Sequence, residues 1–175
     1  LVTTREPGGT ELGEALRELL LSHKHKGMTD DAELLLMFAA RAEHIGAVIE
    51  PALAAGKWVL CDRFTDATFA YQGGGRQLPD PRIATVAQWV QQGLHPDLTL
   101  LLDLPVAVGL ERAGKRSAPD RFEVEQKDFF QRVRGKYLQM AKAESDRMKI
   151  VDASRPLEEV QKQVATIMQQ YCDAV

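Results

Sequence analysis

In the segment Lys57-Trp58-Val59-Leu60-Cys61-Asp62-Arg63, a carboxylate and a guanidinium directly follow a run of four uncharged side chains. So short an apolar run, without polar alternation, predicts a parallel strand covered on both faces by helices. Asp62 and Arg63 then fall at the strand's carboxyl end, the edge of an open α/β sheet where ligands bind. Asp for a metal ion beside Arg for a phosphate is the pairing that phosphoryl transfer requires. A strand-end ion pair with no ligand is the plainer reading of the same seven residues.

The rest of the chain alternates strands and helices around this segment. Leu1 to Thr4 are strand-like, and Arg5-Glu6-Pro7-Gly8-Gly9 turns the chain. Thr10 is placed to cap a helix whose apolar residues Leu12, Leu16, Leu19 and Leu20 recur at helical spacing. Asp30-x-x-Glu33 has the form of a capping box opening a second helix, apolar on all sides from Leu34 to Ala40 and hence buried or part of a subunit interface. That helix presents Arg41 one turn beyond Met37 and Phe38, and Pro51 and Gly56 are expected to end it. After Arg63, the polar residues Thr68, Tyr71 and Gln72 are three and four positions apart, so they can face one pocket. Gly73-Gly74-Gly75-Arg76 reads as a flexible turn, with Arg76 either a surface cation or a phosphate grip.

A helix follows over Pro81 to Gln91, then a strand over Leu98 to Leu104 and a helix from Pro105 to Gly114. Lys115 to Arg121 hold three cations without an apolar anchor. They read as a mobile basic loop, either simply solvated or a lid closing on polyphosphate. A long helix from about Glu123, a strand over Met148 to Asp152 and a helix started by Ser154-Arg155-Pro156 complete the pattern. No repeat or linker interrupts it. The expected fold is a three-layer α/β domain spanning residues 1–175, with a mainly parallel sheet and a lid at about 114–122.

At 175 residues and 45% hydrophobic, the chain can bury one substantial core. A net charge of −3 argues against a surface that tracks nucleic acid or anionic membrane, which leaves a small partner. No apolar run reaches the length of about eighteen residues that a membrane span needs. Two cysteines, Cys61 and Cys172, make no disulfide framework, and these features together predict the cytoplasm. Because Leu1 opens directly on strand-like residues without a starting Met, the chain is expected to lack its front end.

Five motifs occur in order and in register: Thr4-Arg5-Glu6-Pro7-Gly8-Gly9-Thr10, Met37-Phe38-Ala39-Ala40-Arg41, Asp62-Arg63-Phe64, Ala70-Tyr71-Gln72-Gly73-Gly74-Gly75-Arg76 and Asp120-Arg121-Phe122-Glu123. Together they closely resemble the bacterial thymidylate kinases, members of the P-loop nucleoside monophosphate kinases. The resemblance implies a P-loop NTPase-like fold, transfer of the ATP γ-phosphoryl group to dTMP with Mg²⁺ to give dTDP, and a homodimer. By the same resemblance Arg5 and Arg63 grip the dTMP phosphate, and Pro7 lines the substrate site. Arg41 meets the thymine while an aromatic side chain stacks on the ring. Thr68 and Gln72 read the base edge, and Tyr71 packs where a ribose hydroxyl would collide. Asp120 and Glu123 stand near the sugar and the lid, Asp62 serves the Mg²⁺–phosphate cluster, and Arg116 or a neighbour is the lid cation.

The sequence departs from the family pattern twice. The stacking position four residues before the base-reading Arg holds Met37, with Phe38 next to it, so either residue could stack. The Gly-x-x-x-x-Gly-Lys-Ser/Thr loop that cradles ATP phosphates is absent from these 175 residues, and with it a central strand and helix are expected to be missing. A kinase for another deoxynucleoside monophosphate and a catalytically inactive nucleotide-binding or regulatory protein are the competing readings.

Overall fold

Two parallel β-ladders form the framework in the computed structural model, which describes residues 1–115, 121–122 and 125–174. Strand β1 (Val2–Arg5) pairs with β2 (Val59–Asp62) in a register that sets Arg5 opposite Asp62. Strand β3 (Thr99–Asp103) pairs with β4 (Met148–Asp152), with Asp103 opposite Asp152. Parallel neighbours need crossover connections, which helices supply. In the first ladder the crossover is α1 (Glu11–Leu21), α2 (Asp30–His44) and α3 (Glu50–Ala54); in the second it includes α6 (Val106–Gly114) and α7 (Lys127–Ala143). Between the ladders run α4 (Thr65–Thr68), a π-helix (Phe69–Gly75) and α5 (Asp80–Gln91), and α8 (Leu157–Ala174) closes the chain. The expected architecture of parallel strands flanked by helices is therefore present.

Among the described residues no backbone hydrogen bond joins the two ladders. The central strand was expected to be covered on both faces, yet Trp58, Leu60, Leu102 and Ile150 are each more than half exposed. One face of each ladder is thus left open by the described helices, and covering the other face is what gives β2 its alternating burial.

The core lies among the helices in two clusters. Leu34 and Phe38 of α2 pack on Ile83 of α5, while Phe129 and Val133 of α7 pack on Ala70 and Phe122. The second cluster depends on glycine. A Cβ on Gly74 would stand 2.7 Å from Lys136 Cβ, and one on Gly75 would stand 3.0 Å from Val133 Cγ2. The three glycines expected to make a flexible turn are instead a packed π-helix, because the absence of side chains lets α7 approach its backbone.

Polar contacts complete the join. Arg147 donates from both terminal nitrogens to Asp66 (2.8 and 2.9 Å) and from Nη1 to Thr99 Oγ1 (2.9 Å), tying the start of the second ladder to α4 of the first half. Edge-to-face contact between Trp58 and Tyr171 ties α8 to the start of β2.

Local signals were mostly realised. Thr10 caps α1 by accepting from the Gly13 amide at 2.9 Å. The cap of α2, however, is Thr29, one residue before the expected capping box, so Glu33 lies one position too far along to reach back. Its carboxylate goes to an ion cluster described below. Pro51 does not end the helical run either: a π-helix over Ile45–Ile49 leads straight into α3, whose first turn holds it.

Candidate active site

Parallel strands all point their carboxyl ends one way, and here those ends meet at a cleft of about 700 Å³. Glu6, Pro7, Asp62 and Arg63 come to it from the first ladder, and Asp103 and Leu104 from the second. Arg63 adopts a left-handed backbone (φ 67°), rare for a residue with a side chain and typical of functional positions. Its guanidinium carbon stands 5.0 Å from the centre of the Tyr71 ring. Tyr71 is itself fixed edge-to-face against Phe122 and Phe129.

Elsewhere on the wall, Arg41 is 3% exposed and lies between two rings, its guanidinium carbon 4.7 Å from the Phe38 centroid and 5.0 Å from that of Phe64. Its Nε donates to Glu6 Oε2 at 2.7 Å and its Nη2 to Thr68 Oγ1 at 3.0 Å, while Nη1 has no hydrogen-bond partner. A buried charged donor left unmade is costly, so a ligand oxygen would restore a lost bond there. Gln72, 1% exposed, commits its Nε2 to Glu33 at 2.9 Å and leaves its amide oxygen as an acceptor. The spacing of Thr68, Tyr71 and Gln72 does bring all three to one cleft.

Met37 and Phe38 separate. Met37 lines the cleft, whereas Phe38 is 1% exposed in the α2–α5 core beneath Arg41, so Phe38 does not present a face for stacking on a ligand. Phe64, which follows the Asp62-Arg63 pair, is the aromatic residue on the wall beside Arg41. Arg5 is not among the lining residues, and its guanidinium is held by Glu14 at 2.9 Å. The Gly9 amide, first, and Arg5, second, hold the Glu14 carboxyl below its usual range. A different cation lines the cleft: Arg17, whose Nη1 donates to the Pro7 carbonyl at 2.9 Å. Arg17 follows Gly13 by four positions and precedes Leu20 by three, and both of those are buried. A cation in the inward stripe of an amphipathic helix was the available signal.

Arg76 donates to Glu33 and Glu125, which supports a structural role over a phosphate grip. Arg121 corrects the expectation of a mobile loop cation. It is 5% exposed, with Nη2 bonded to Glu33 Oε2 at 2.6 Å and Nε to the Leu20 carbonyl at 2.7 Å. Packing against α1 and α2 outweighs the local polarity that suggested a solvated loop. Arg116, Asp120 and Glu123, with the middle of the expected lid, lie outside the described residues.

Asp62 is exposed at the cleft, and no cluster of three metal-ligating side chains exists among the described residues. One carboxylate fits Mg²⁺, which keeps waters and is shared with substrate phosphates. Burial, followed by the Glu6 charge, pushes the neighbouring Cys61 thiol up to about 12. Gly109, Gly114 and Lys115 have the spacing of a phosphate loop, but Arg116 follows and both glycines lie within α6. Amides committed to a helix do not cradle a phosphate, so that role is not assigned to them.

The thymidylate kinase family model matches residues 1–164. The thymidylate kinase of Pseudomonas savastanoi pv. phaseolicola is 56% identical over 170 residues, covering 97% of this chain and 81% of that protein. That of Alcanivorax borkumensis is 54% identical over 170 residues, covering 97% and 82%. The crystal structure of thymidylate kinase from Ehrlichia chaffeensis superposes with a TM-score of 0.75 at 32% identity, over 96% of this chain and 79% of that one. Strand-end cleft, five motifs and these likenesses agree: the chain belongs to the thymidylate kinase family.

Proposed function

We propose that this protein transfers the γ-phosphoryl group of ATP to dTMP, giving dTDP and ADP. The observation that carries the reading is the unpartnered Nη1 of Arg41 on the wall of a cleft that also holds the Gln72 amide. A pyrimidine with a ring carbonyl beside a ring N–H matches that donor and acceptor. Asp62, Arg63 and Arg17 supply the charge pattern for a phosphate in the same cleft.

In this reading Arg63 and Arg17 hold the acceptor phosphate, whose oxygen attacks the γ-phosphorus in line as the bond to the β-phosphate oxygen breaks. Arg5 steadies the turn that carries Pro7 through its pair with Glu14. Met37 and Phe64 flank the base, and Tyr71 packs against the deoxyribose. Asp62 would help hold Mg²⁺, which when bound would supply charge neutralisation for the phosphates. Arg116, Asp120 and Glu123 take their lid and sugar roles from the resemblance alone. The lid is assigned to about 114–122 of a single kinase domain.

A homodimer fits Leu35 on α2 and Trp89 on α5, both more than half exposed on helices that pack together. No described helix is long and apolar enough to cross a membrane. A cytoplasmic location belongs to the same reading and is supported by a sequence whose two cysteines make no disulfide framework. The test is phosphoryl transfer from labelled ATP with Mg²⁺, comparing dTMP, dCMP and dGMP as acceptors. Label in dTDP above the other products is expected. Equal or greater transfer to another base would refute the assignment.

A further inference from the structure

Behind Arg41 stands a row of polar side chains that the reaction as described does not use. The row begins at Thr4 on β1, whose Oγ1 lies 2.7 Å from His44 Nε2. His44, at the end of α2 and 0% exposed, places Nδ1 2.9 Å from Glu6 Oε1. The other carboxylate oxygen of Glu6 accepts from Arg41 Nε. A carboxylate can only accept, so Nδ1 carries the proton and donates to Glu6. In the neutral imidazole Nε2 is then the acceptor and the Thr4 hydroxyl donates to it.

This hydroxyl–imidazole–carboxylate order is the one found in hydrolytic triads. It does not serve as one here, because Thr4 is absent from the cleft wall and the Gly9 backbone closes over it. A Cβ on Gly9 would stand 2.6 Å from Thr4 Oγ1 and 2.8 Å from His44 Nε2. The far oxygen of Glu6 is also committed to a guanidinium. What the row can do is hold that guanidinium. Arg41 and His44, three residues apart on one helical face, grip the two oxygens of one carboxylate. With the Phe38 and Phe64 ring centres 4.7 and 5.0 Å from its guanidinium carbon and Thr68 on Nη2, Arg41 is held in one orientation.

We propose that Thr4, His44 and Glu6 are positioning residues that set base specificity by preventing Arg41 from turning aside. The inference rests on the reading of Arg41 as the group that meets the base. A guanidinium donates and never accepts, so a fixed one pairs with a ring carbonyl and opposes a ring amino group. A mobile one could swing away from the amino group and lose the discrimination. Rejection therefore depends on rigidity as well as on the presence of the cation.

The experiment measures the dissociation constants of dTMP and dCMP by calorimetry, for the protein and for His44→Leu, His44→Asn and Thr4→Val. His44→Leu is expected to lower the dCMP/dTMP ratio by about tenfold, and Thr4→Val by a smaller factor. His44→Asn, whose amide can still donate to Glu6, should retain most of the ratio. A role in folding alone would weaken both nucleotides together and leave the ratio unchanged, and that outcome overturns the inference. If His44→Leu does not fold, Thr4→Val decides, read with the ¹⁵N signal of Arg41 Nε–H: an unaltered ratio with an unaltered signal is a refutation. A wild-type protein that does not prefer dTMP would instead overturn the reading of the site, which keeps the two failures apart.

Discussion

Removing the charge of Glu33 should destabilise the protein strongly. The Glu33 side chain is 1% exposed and accepts from Gln72, Arg76 and Arg121. Arg76 keeps a second carboxylate in Glu125, but Arg121, with its side chain 6% exposed, has Glu33 as its one ion-pair partner among the described residues. In Glu33→Gln the shape and one acceptor survive, while Arg121 becomes a buried cation that has lost its carboxylate among the described residues. Breaking a buried pair from one side costs about 3–5 kcal/mol. For a domain of this size that corresponds to a fall in Tm of about 6–20 °C. Urea unfolding followed by far-UV circular dichroism gives the free energy, and thermal unfolding gives the shift. The same change releases the Gln72 amide, so dTMP affinity should fall as well. Pairing Glu33→Gln with Arg121→Met should cost less than the sum of the two single changes, since the stranded charge is gone. A loss below about 1 kcal/mol, the range of an exposed pair, would refute the view that this cluster is a buried electrostatic hub.

Gly75→Ala should destabilise the protein by about 1–3 kcal/mol by pushing α7 away from the π-helix, measurable as a lower urea midpoint; an unchanged midpoint would mean that α7 yields without cost. With its pKa near 12, Cys61 should resist iodoacetamide at pH 8, where only about one thiol in ten thousand is ionised, and react faster as the pH rises towards 12. Mass spectrometry of the labelled peptides distinguishes it from the exposed Cys172, and rapid labelling of native Cys61 at pH 8 would contradict the account of its surroundings.

What the sequence disclosed was whatever one element decides alone. The cap at Thr10, the strand over Met148–Asp152 and the shared direction of Thr68, Tyr71 and Gln72 all follow from spacing within a few residues. What it concealed was decided by partners distant in the chain. Gly73-Gly74-Gly75 has the composition of a loop, and only the arrival of α7 some sixty residues later makes it packed helix. Arg121 has the company of a solvated lid, yet its carboxylate lies on α2, 88 positions earlier. The choice between Met37 and Phe38 could not be read from helical periodicity, because adjacent residues differ by only one step of the helix and the rim of the cleft falls between them.

The division of the strands into two ladders has a mechanical consequence. Within each ladder a shear displacement must break a row of backbone hydrogen bonds at once, so each is stiff. Between them the contacts made by the described residues are side-chain ones: the Arg147 fork on Asp66, the seat of α7 on the glycines and the Trp58–Tyr171 contact. Such contacts yield in small steps, by rotamer change and sliding, before any of them is lost. The cleft takes one wall from each ladder, so among the described residues these side-chain contacts are what hold its two walls at their present distance.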